Sequence, residues 1–169
     1  LAVGNTMAVA GGLLYILMHG FAKAGLFLCA GVIEQNTKTK DITKLGGLIS
    51  TMPITAISFL LCAFSVMGIP PFGGFFSKYM VFSGAIGAGQ YWTSFVFTIG
   101  AFLTILYLFR AFNLIFLGES QVSRAKEGSF AMVASVAVLT VLSLFSGILI
   151  NYPYSFVQVI AANLTGIVK

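Results

Sequence analysis

Apolar residues dominate four long stretches of the chain, which two polar segments interrupt. The stretches cover about residues 6–33, 52–69, 91–117 and 130–150. A helix needs about 20 apolar residues to cross the hydrocarbon core of a bilayer. With a further short helix after the second stretch, the pattern predicts an all-α fold, a polytopic transmembrane helix bundle of about five spans.

The second stretch ends in a predicted helix break at Gly68–Gly74. Pro71 lacks an amide hydrogen, and its ring disfavours the helical conformation at Pro70. Gly73 and Gly74 add backbone freedom before the helix resumes. The pattern therefore predicts a broken membrane helix, whose freed backbone groups must face protein or water.

The polar segments 34–50 and 118–129 are expected to be loops. They should lie on opposite sides of the membrane if all spans cross it. Their Lys and Arg counts differ by one, so the positive-inside rule assigns neither loop a side. At the end of the first loop, Ser50 or Thr51 is expected to cap the next helix, with Pro53 in its first turn.

The last residues differ from the rest of the chain. After Pro153, apolar residues recur at helical spacing among polar ones: Phe156, Ile160, Leu164 and Ile167. This pattern predicts an amphipathic helix on the membrane surface or against a partner subunit. We therefore divide the chain into transmembrane helices at residues 1–150 and an amphipathic C-terminal tail at residues 151–169.

Composition supports a membrane location and removes other classes of protein. The chain is 59% hydrophobic and 8% charged, with a mean hydropathy of +1.02. Soluble domains are about a quarter charged. The net charge of +5 is no nucleic-acid signal, because the nine Lys and Arg residues are scattered and several lie in apolar runs.

The sequence contains no motif for catalysis, a cofactor or a metal. It has no Gly-rich phosphate loop, no Ser/His/Asp set, no Cys cluster and no repeated His for haem. Cys29 and Cys62 lie in apolar runs and are expected to be small core residues. We therefore expect no catalytic residue, no metal site and no cofactor in this chain.

The chain opens on Leu1-Ala2-Val3 and enters apolar sequence at once, without the basic segment and cleavage site of a signal peptide. We expect the C-terminal part of a longer protein, or a processed or partly numbered chain.

Three polar residues share one helix face inside the first stretch. Tyr15, His19 and Lys23 are spaced by four and cover about 12 Å of helix axis. With intervening water they could relay a proton, because His titrates near neutral pH and burial can bring Lys into the same range. In the alternative, His19 donates to a backbone carbonyl and Lys23 reaches the interface. Lys23 has about ten apolar residues on each side, so we favour the relay.

Lys78 follows the helix break, directly after Ser77. Broken helices mark ion sites in transporters, where the end of a half-helix lies near a charged residue. We predict that Lys78 lies on an ion or proton pathway, with Ser77 in support. The alternative is a re-entrant or interfacial bend from which Lys78 reaches the headgroups.

Tyr107 and Arg110 lie about one helical turn apart in the third stretch. Arg is hard to deprotonate, so we expect these residues to support the pathway by pairing or ordering water, or Arg110 to anchor the helix at the interface. None of the four acidic residues lies deep in a stretch. A carboxylate partner for Lys23 or Lys78 must therefore come from a missing part of the protein or from another subunit.

Several ordered motifs carry a family resemblance. They are His19-Gly-Phe-Ala-Lys23-Ala-Gly-Leu-Phe-Leu-Cys-Ala-Gly31, Asp41-Ile-Thr-Lys-Leu-Gly-Gly-Leu48, Met52-Pro53, Gly68-Ile-Pro-Pro-Phe-Gly-Gly-Phe-Phe-Ser-Lys78 and Tyr107-Leu-Phe-Arg110. Over about residues 5–120 the chain resembles the antiporter-like subunit family. This family includes large membrane subunits of multisubunit cation/proton antiporters, membrane-bound hydrogenases and respiratory complex I.

The resemblance implies a full-length protein of about fourteen helices with two inverted repeats, each with a broken helix bearing a Lys or Glu. It places this chain in the last helices, beginning within the second repeat. Lys78 would then load and release the proton, and His19 and Lys23 would belong to a hydrophilic axis between two half-channels. Tyr15 stands where some relatives carry another His. The first-repeat Lys and its Glu partner are absent, so this chain alone should not form a complete pathway.

The expected function is proton or sodium/proton translocation, within a multisubunit antiporter or a redox-driven ion pump of a prokaryotic cytoplasmic membrane. The expected partners are the missing N-terminal helices, other membrane subunits, lipid and the ions H⁺ or Na⁺. Any redox reaction would belong to partner subunits, and the loops favour the antiporter and hydrogenase branch over complex I. The alternative is a non-conducting structural subunit of the same kind of complex. A solute carrier would need more polar groups converging on a pocket.

Overall fold

The computed structural model describes residues 5–119, 122 and 125–165. In this part of the chain the secondary structure is helical, without strands, which confirms the all-α class. The α-helices are α1 (Thr6–Thr37), α2 (Pro53–Met67), α3 (Gly73–Gly87), α4 (Tyr91–Phe116), α5 (Phe130–Ile148) and α6 (Asn151–Thr165).

Helix α1 is unbroken over 32 residues, and α2, α3, α5 and α6 all pack against it. The side chain of Asn5 caps its start by accepting a hydrogen bond from the Met7 amide at 2.8 Å. The helix runs through Thr37 and ends where Lys38 adopts a left-handed conformation (φ 60°) and donates to the Glu34 carbonyl. The first loop therefore begins four residues later than predicted.

Helices α2 and α3 are the two halves of the predicted broken helix and run antiparallel to α1. A Cβ at Gly25, in the C-terminal half of α1, would meet Cys62 of α2 at 2.5 Å. A Cβ at Gly84 of α3 would meet the amide nitrogen of Ala8, near the start of α1, at 2.6 Å. Each half has 15 residues. Together the halves measure about 45 Å, close to the length of about 48 Å expected for α1.

The break itself lies at the predicted residues. Gly68 ends α2 with φ 84°, in the left-handed region that favours glycine. The peptide bond between Pro70 and Pro71 is cis. Gly74 lies against the carbonyl oxygen of Ser65, where a Cβ would collide with it. The two halves can therefore approach closely at the point where the helix is interrupted.

Helix α5 passes alongside the break. The Thr140 hydroxyl lies 3.5 Å from the Cys62 sulfur on α2. Farther along α5, a Cβ at Gly147 would collide with the carbonyl oxygen of Pro71 and the amide nitrogen of Gly73. The missing side chain at Gly147 therefore lets α5 contact the backbone of the break directly.

Helix α6 packs against the N-terminal half of α1 through Val157 and Ala161, which are both buried. The predicted apolar stripe faces another way, since Phe156 and Leu164 are exposed. Ile167, the last member of that stripe, lies outside the described residues. The division of the chain at residue 150 stays a prediction, and its outer ends at residues 1–4 and 166–169 also lie outside them.

Three described helices are long and apolar enough to cross a membrane alone: α1, α4 and α5. The pair α2/α3 adds a broken crossing. Many large apolar side chains point outward, including Phe27 (73% exposed) and Trp92 (75%). Apolar surface of this extent suits lipid or partner helices rather than water. The structure is therefore a transmembrane helix bundle.

The two loops meet on one side of the bundle, so the prediction that they lie on opposite sides is wrong. The Gly47 amide donates to the Leu117 carbonyl at 3.0 Å. A Cβ at Gly46 would lie 2.6 Å from the carbonyl oxygen of Glu119. Because α2 and α3 make one crossing and α4 makes the return crossing, an even number of crossings separates the loops. Part of the second loop, at residues 120, 121, 123 and 124, lies outside the described residues.

The start of α2 also differs from the prediction. Pro53 is its first residue, as expected, but its N-cap is Met52, which makes no side-chain hydrogen bond. Ser50 and Thr51 do not cap the helix, because their hydroxyls donate to the carbonyls of Gly47 and Leu48. The capping oxygen is Oε1 of Glu127 in the second loop.

Candidate ion-pathway site

Lys78 lies in the second turn of α3, and its side chain reaches back across the helix break. Its Nζ donates to the carbonyl oxygens of Val66 at 2.7 Å and Met67 at 3.1 Å. These carbonyls belong to the last turn of α2, where no further helical amide can bond them and the helix dipole is negative. One half-helix therefore holds the ammonium group that the other half-helix carries.

Two small residues shape the surroundings of the lysine. A Cβ at Gly68 would lie 2.9 Å from Cδ of Lys78, so glycine leaves room for the lysine stem. Ser77 is fully buried and donates to the Gly74 carbonyl at 3.1 Å. Its hydroxyl therefore supports the first turn of α3 rather than the ammonium group.

Lys78 also lines two clefts beside α4. The first has a volume of about 200 Å³ and includes Tyr15 of α1 together with Phe97, Gly100, Ala101 and Thr104 of α4. The second has a volume of about 300 Å³ and lies beside the break; its other lining residues are Met67, Gly68, Phe75, Tyr79, Phe82, Phe97, Thr98 and Ala101. A water occupies about 30 Å³ in the liquid, so either cleft has room for several near the lysine.

The polar face of α1 approaches the same region. The rings of Tyr15 and His19 stack, with centroids 4.9 Å apart. Nδ1 of His19 is buried and has no hydrogen-bond partner in the described structure. Buried polar groups are normally bonded to protein or to ordered water, so this nitrogen is a binding site for a water molecule. Lys23 and Lys78 both lie within electrostatic range of His19. The structure therefore brings the predicted relay residues and Lys78 together.

The two predicted supporting residues on α4 lie farther out. Tyr107 is 49% exposed and lies within electrostatic range of Tyr15. Arg110 is exposed. Among the described residues, no carboxylate lies within ion-pairing distance of Arg110. The ion pairs in this part of the chain join Lys40 to Glu34, in the last turn of α1, and Lys44 to Asp41 in the first loop. The structure brings Tyr107 near the relay but does not bring Arg110 to Lys78.

Sequence reasoning missed the backbone groups at this site. The carbonyls of Val66 and Met67 are ligands by position, and their side chains give no signal of that role. Cys29 and Cys62 are buried and free, as predicted. Among the described residues, no group of three or more His, Cys, Asp or Glu side chains could hold a metal ion.

Known proteins match this chain in sequence. Residues 1–104 match the family described as NADH:quinone oxidoreductase/Mrp antiporter, transmembrane. The chain is 37% identical over 117 residues to NADH-quinone oxidoreductase subunit N of Desulforudis audaxviator, covering 69% of this chain and 23% of that protein. It is also 37% identical over 121 residues to a Na(+)/H(+) antiporter subunit of Alkalihalophilus pseudofirmus, covering 72% of this chain and 24% of that protein.

A solved structure matches the fold. A chain of the Mrp complex from a Dietzia species superimposes with a TM-score of 0.91 at 25% identity, covering 97% of this chain and 39% of that one. This chain spans about a quarter of the length of the two curated relatives. The equal identities to both do not separate the antiporter branch from the complex I branch. The family match, the relatives and the shared fold show that the chain belongs to the NADH:quinone oxidoreductase/Mrp antiporter transmembrane family.

Proposed function

We propose that this chain is part of an ion-translocating membrane subunit and that Lys78 is a protonatable site on its pathway. The supporting observation is the position of its Nζ, bonded to the last carbonyls of α2 while the side chain lines two clefts. A charge within a bilayer is costly unless protein dipoles or water replace its hydration. In this proposal the carbonyls supply the dipoles, and the clefts supply the water that brings and removes protons.

The relay residues on α1 carry the proton away from Lys78 in this proposal. Tyr15 shares a cleft with the lysine, and His19 has a ring nitrogen available to a water molecule. Lys23, two turns beyond Tyr15, continues the same face. Water between these groups would complete the relay, with Tyr107 in a supporting position near Tyr15. Ser77 supports the first turn of α3, the helix that carries Lys78, and Arg110 is exposed on α4, outside the relay.

The rest of the pathway belongs to other parts of the assembly in this proposal. We propose H⁺ as the ion, with Na⁺ as the alternative, and a prokaryotic cytoplasmic membrane as the location. Moving one charge against 100 mV costs about 2.3 kcal/mol, so a driving reaction or counter-ion must come from partner membrane subunits. This chain contributes no cofactor to that reaction.

The test is ion flux in proteoliposomes of the intact complex, with wild type compared with Lys78→Ala. Lys40→Ala is the matched control, because its side chain is 80% exposed in the first loop. We expect Lys78→Ala to lower flux by about tenfold or more at normal assembly, and Lys40→Ala to behave as wild type. Unchanged flux in Lys78→Ala would remove the lysine from the path and favour a non-conducting structural subunit.

A further inference from the structure

We infer that Glu127 is a positioning residue for Lys78, because it fixes the start of α2 while the far end of α2 holds the lysine. The inference rests on the role proposed above for Lys78. Glu127 lies in the second loop, 73 residues from Ile54 and 72 residues from Thr55, whose amides it binds.

The carboxylate of Glu127 binds the first turn of α2 with both oxygens. Oε1 accepts hydrogen bonds from the amides of Ile54 at 2.6 Å and Thr55 at 3.1 Å. Oε2 accepts one from the Thr55 hydroxyl at 2.7 Å. Pro53 has no amide hydrogen, and Met52 offers no capping side chain. Glu127 therefore satisfies the helix start that the local sequence leaves open.

The segment that carries Glu127 is itself packed in place. Ala125 is 3% exposed and belongs to the main apolar core. A Cβ at Gly128 would lie 3.0 Å from the Val32 side chain on α1. The segment that carries the carboxylate therefore packs against the core and against α1. Through Glu127 this packing sets the position of the first turn of α2 relative to α1.

Helix α2 connects this support to the lysine. It is 15 residues long, about 22 Å, and none of its own side chains is charged. Glu127 supplies negative charge at its positive end, and the ammonium of Lys78 binds its negative end. The helix break follows α2 directly, so no continuing helix holds the C-terminal end of α2 in place. A shift or fraying at Ile54 and Thr55 would therefore move the Val66 and Met67 carbonyls relative to Lys78.

The test uses the intact complex and three variants. Glu127→Ala removes all three hydrogen bonds, and Thr55→Val removes only the hydroxyl contact. Glu119→Gln is the matched control, because Glu119 is an exposed carboxylate in the same loop. The readouts are assembly, ion flux and amide hydrogen exchange. Exchange is measured at both ends of α2: at residues 54–55, and at Gly68 and Ile69, whose amides donate to the Phe64 carbonyl near the C-terminal end.

We expect Glu127→Ala to speed exchange about fivefold at both ends of α2, as for a lost helix cap, and to lower flux by about threefold or more. Thr55→Val should also speed exchange at both ends of α2 and lower flux, but by less. This variant provides the test if the complex with Glu127→Ala does not assemble. Glu119→Gln should behave as wild type.

Faster exchange at residues 54–55 alone, with flux as in wild type, would show a local cap and overturn the inference. The exchange at Gly68 and Ile69 is independent of transport. If Lys78→Ala left flux unchanged, the proposed function would fail, and exchange at these amides would still decide whether Glu127 positions the end of α2.

Discussion

Gly68 shows how the lysine site depends on an absent side chain. It holds a left-handed backbone conformation (φ 84°), and a Cβ there would lie 2.9 Å from Cδ of Lys78. Glycine thus serves two purposes at one position: it ends α2 and leaves space for the lysine to reach the carbonyls of that helix. The two effects can be separated, because Gly89 also has a positive φ (71°) but has no neighbouring atom within 4 Å of a Cβ.

We expect Gly68→Ala and Gly89→Ala each to lower the free energy of unfolding by about 1 kcal/mol, from backbone strain. Only Gly68→Ala should also lower ion flux, because only that methyl group displaces the lysine stem. Thermal unfolding and flux of the intact complex measure the two effects. Equal flux in the two variants would contradict the assignment of Gly68 to the lysine site.

Asp41 provides a pH-dependent contact outside the membrane-spanning helices. Its Oδ1 accepts hydrogen bonds from the Thr43 hydroxyl at 2.6 Å and the Thr43 amide at 3.0 Å. These bonds, with a smaller effect of Lys44, hold the pKa of the Asp41 carboxyl below its usual value. The contact is therefore fully stabilising above the unfolded pKa of about 3.9 and is lost as pH falls through the lower folded pKa.

We expect the amide resonance of Thr43 to shift as Asp41 is protonated, with a midpoint below about 3.9. Asp41→Asn should abolish this titration and leave the rest of the spectrum in place. An amide resonance of Thr43 that ignored pH in the unmodified protein would show that the carboxylate does not bind there in solution.

At the scale of whole elements, local sequence predicts the helices well and distant contacts poorly. The break was predictable because Pro70, Pro71 and the paired glycines act on their own backbone. The cap of α2 was not, because Glu127 reaches it from 73 residues away at Ile54. No spacing pattern encodes such a contact. The sides of the loops were also predicted wrongly. The sequence shows the break, but it does not show that α3 continues in the direction of α2 and completes the same crossing.

The contact between α5 and the break gives a prediction at this scale. A Cβ at Gly147 would collide with the backbone of the break, whereas a Cβ at Gly31 of α1 meets nothing within 4 Å. We expect Gly147→Ala to lower the free energy of unfolding by about 1–3 kcal/mol through overpacking and to reduce flux. Gly31→Ala should be neutral or slightly stabilising. Equal unfolding temperatures for the two variants would mean that α5 does not press on the break.

For the whole molecule, the position of the two loops shows that an even number of crossings lies between them. The first loop, with Lys40, and the second loop, with Glu119, lie on one side, because Gly47 bonds Leu117 between them. The turn at Gly89, between α3 and α4, lies at the other end of the bundle. The chain covers about a quarter of its two curated relatives, so the arrangement corresponds to that share of their length.

Labelling of single cysteines tests the arrangement in intact membranes. We expect a membrane-impermeant maleimide to label Lys40→Cys and Glu119→Cys from the same side, and Gly89→Cys from the opposite side. Cys29 and Cys62 are buried, so their background labelling should be slow. Labelling of Lys40→Cys and Glu119→Cys from opposite sides would exclude a single crossing by α2 and α3.

The unbroken course of α1 beside a broken neighbour has a chemical consequence. Within α1 the carbonyl oxygens bond amides of their own helix, so a passing ion meets only side chains and water. At the end of α2, by contrast, backbone oxygens bind a cation directly. A metal cation moving along α1 would need several oxygen ligands at each step. The phenol of Tyr15, the imidazole of His19 and the amine of Lys23 can instead donate and accept protons. The polar face of α1 is therefore better suited to proton transfer between side chains than to coordination of a metal ion.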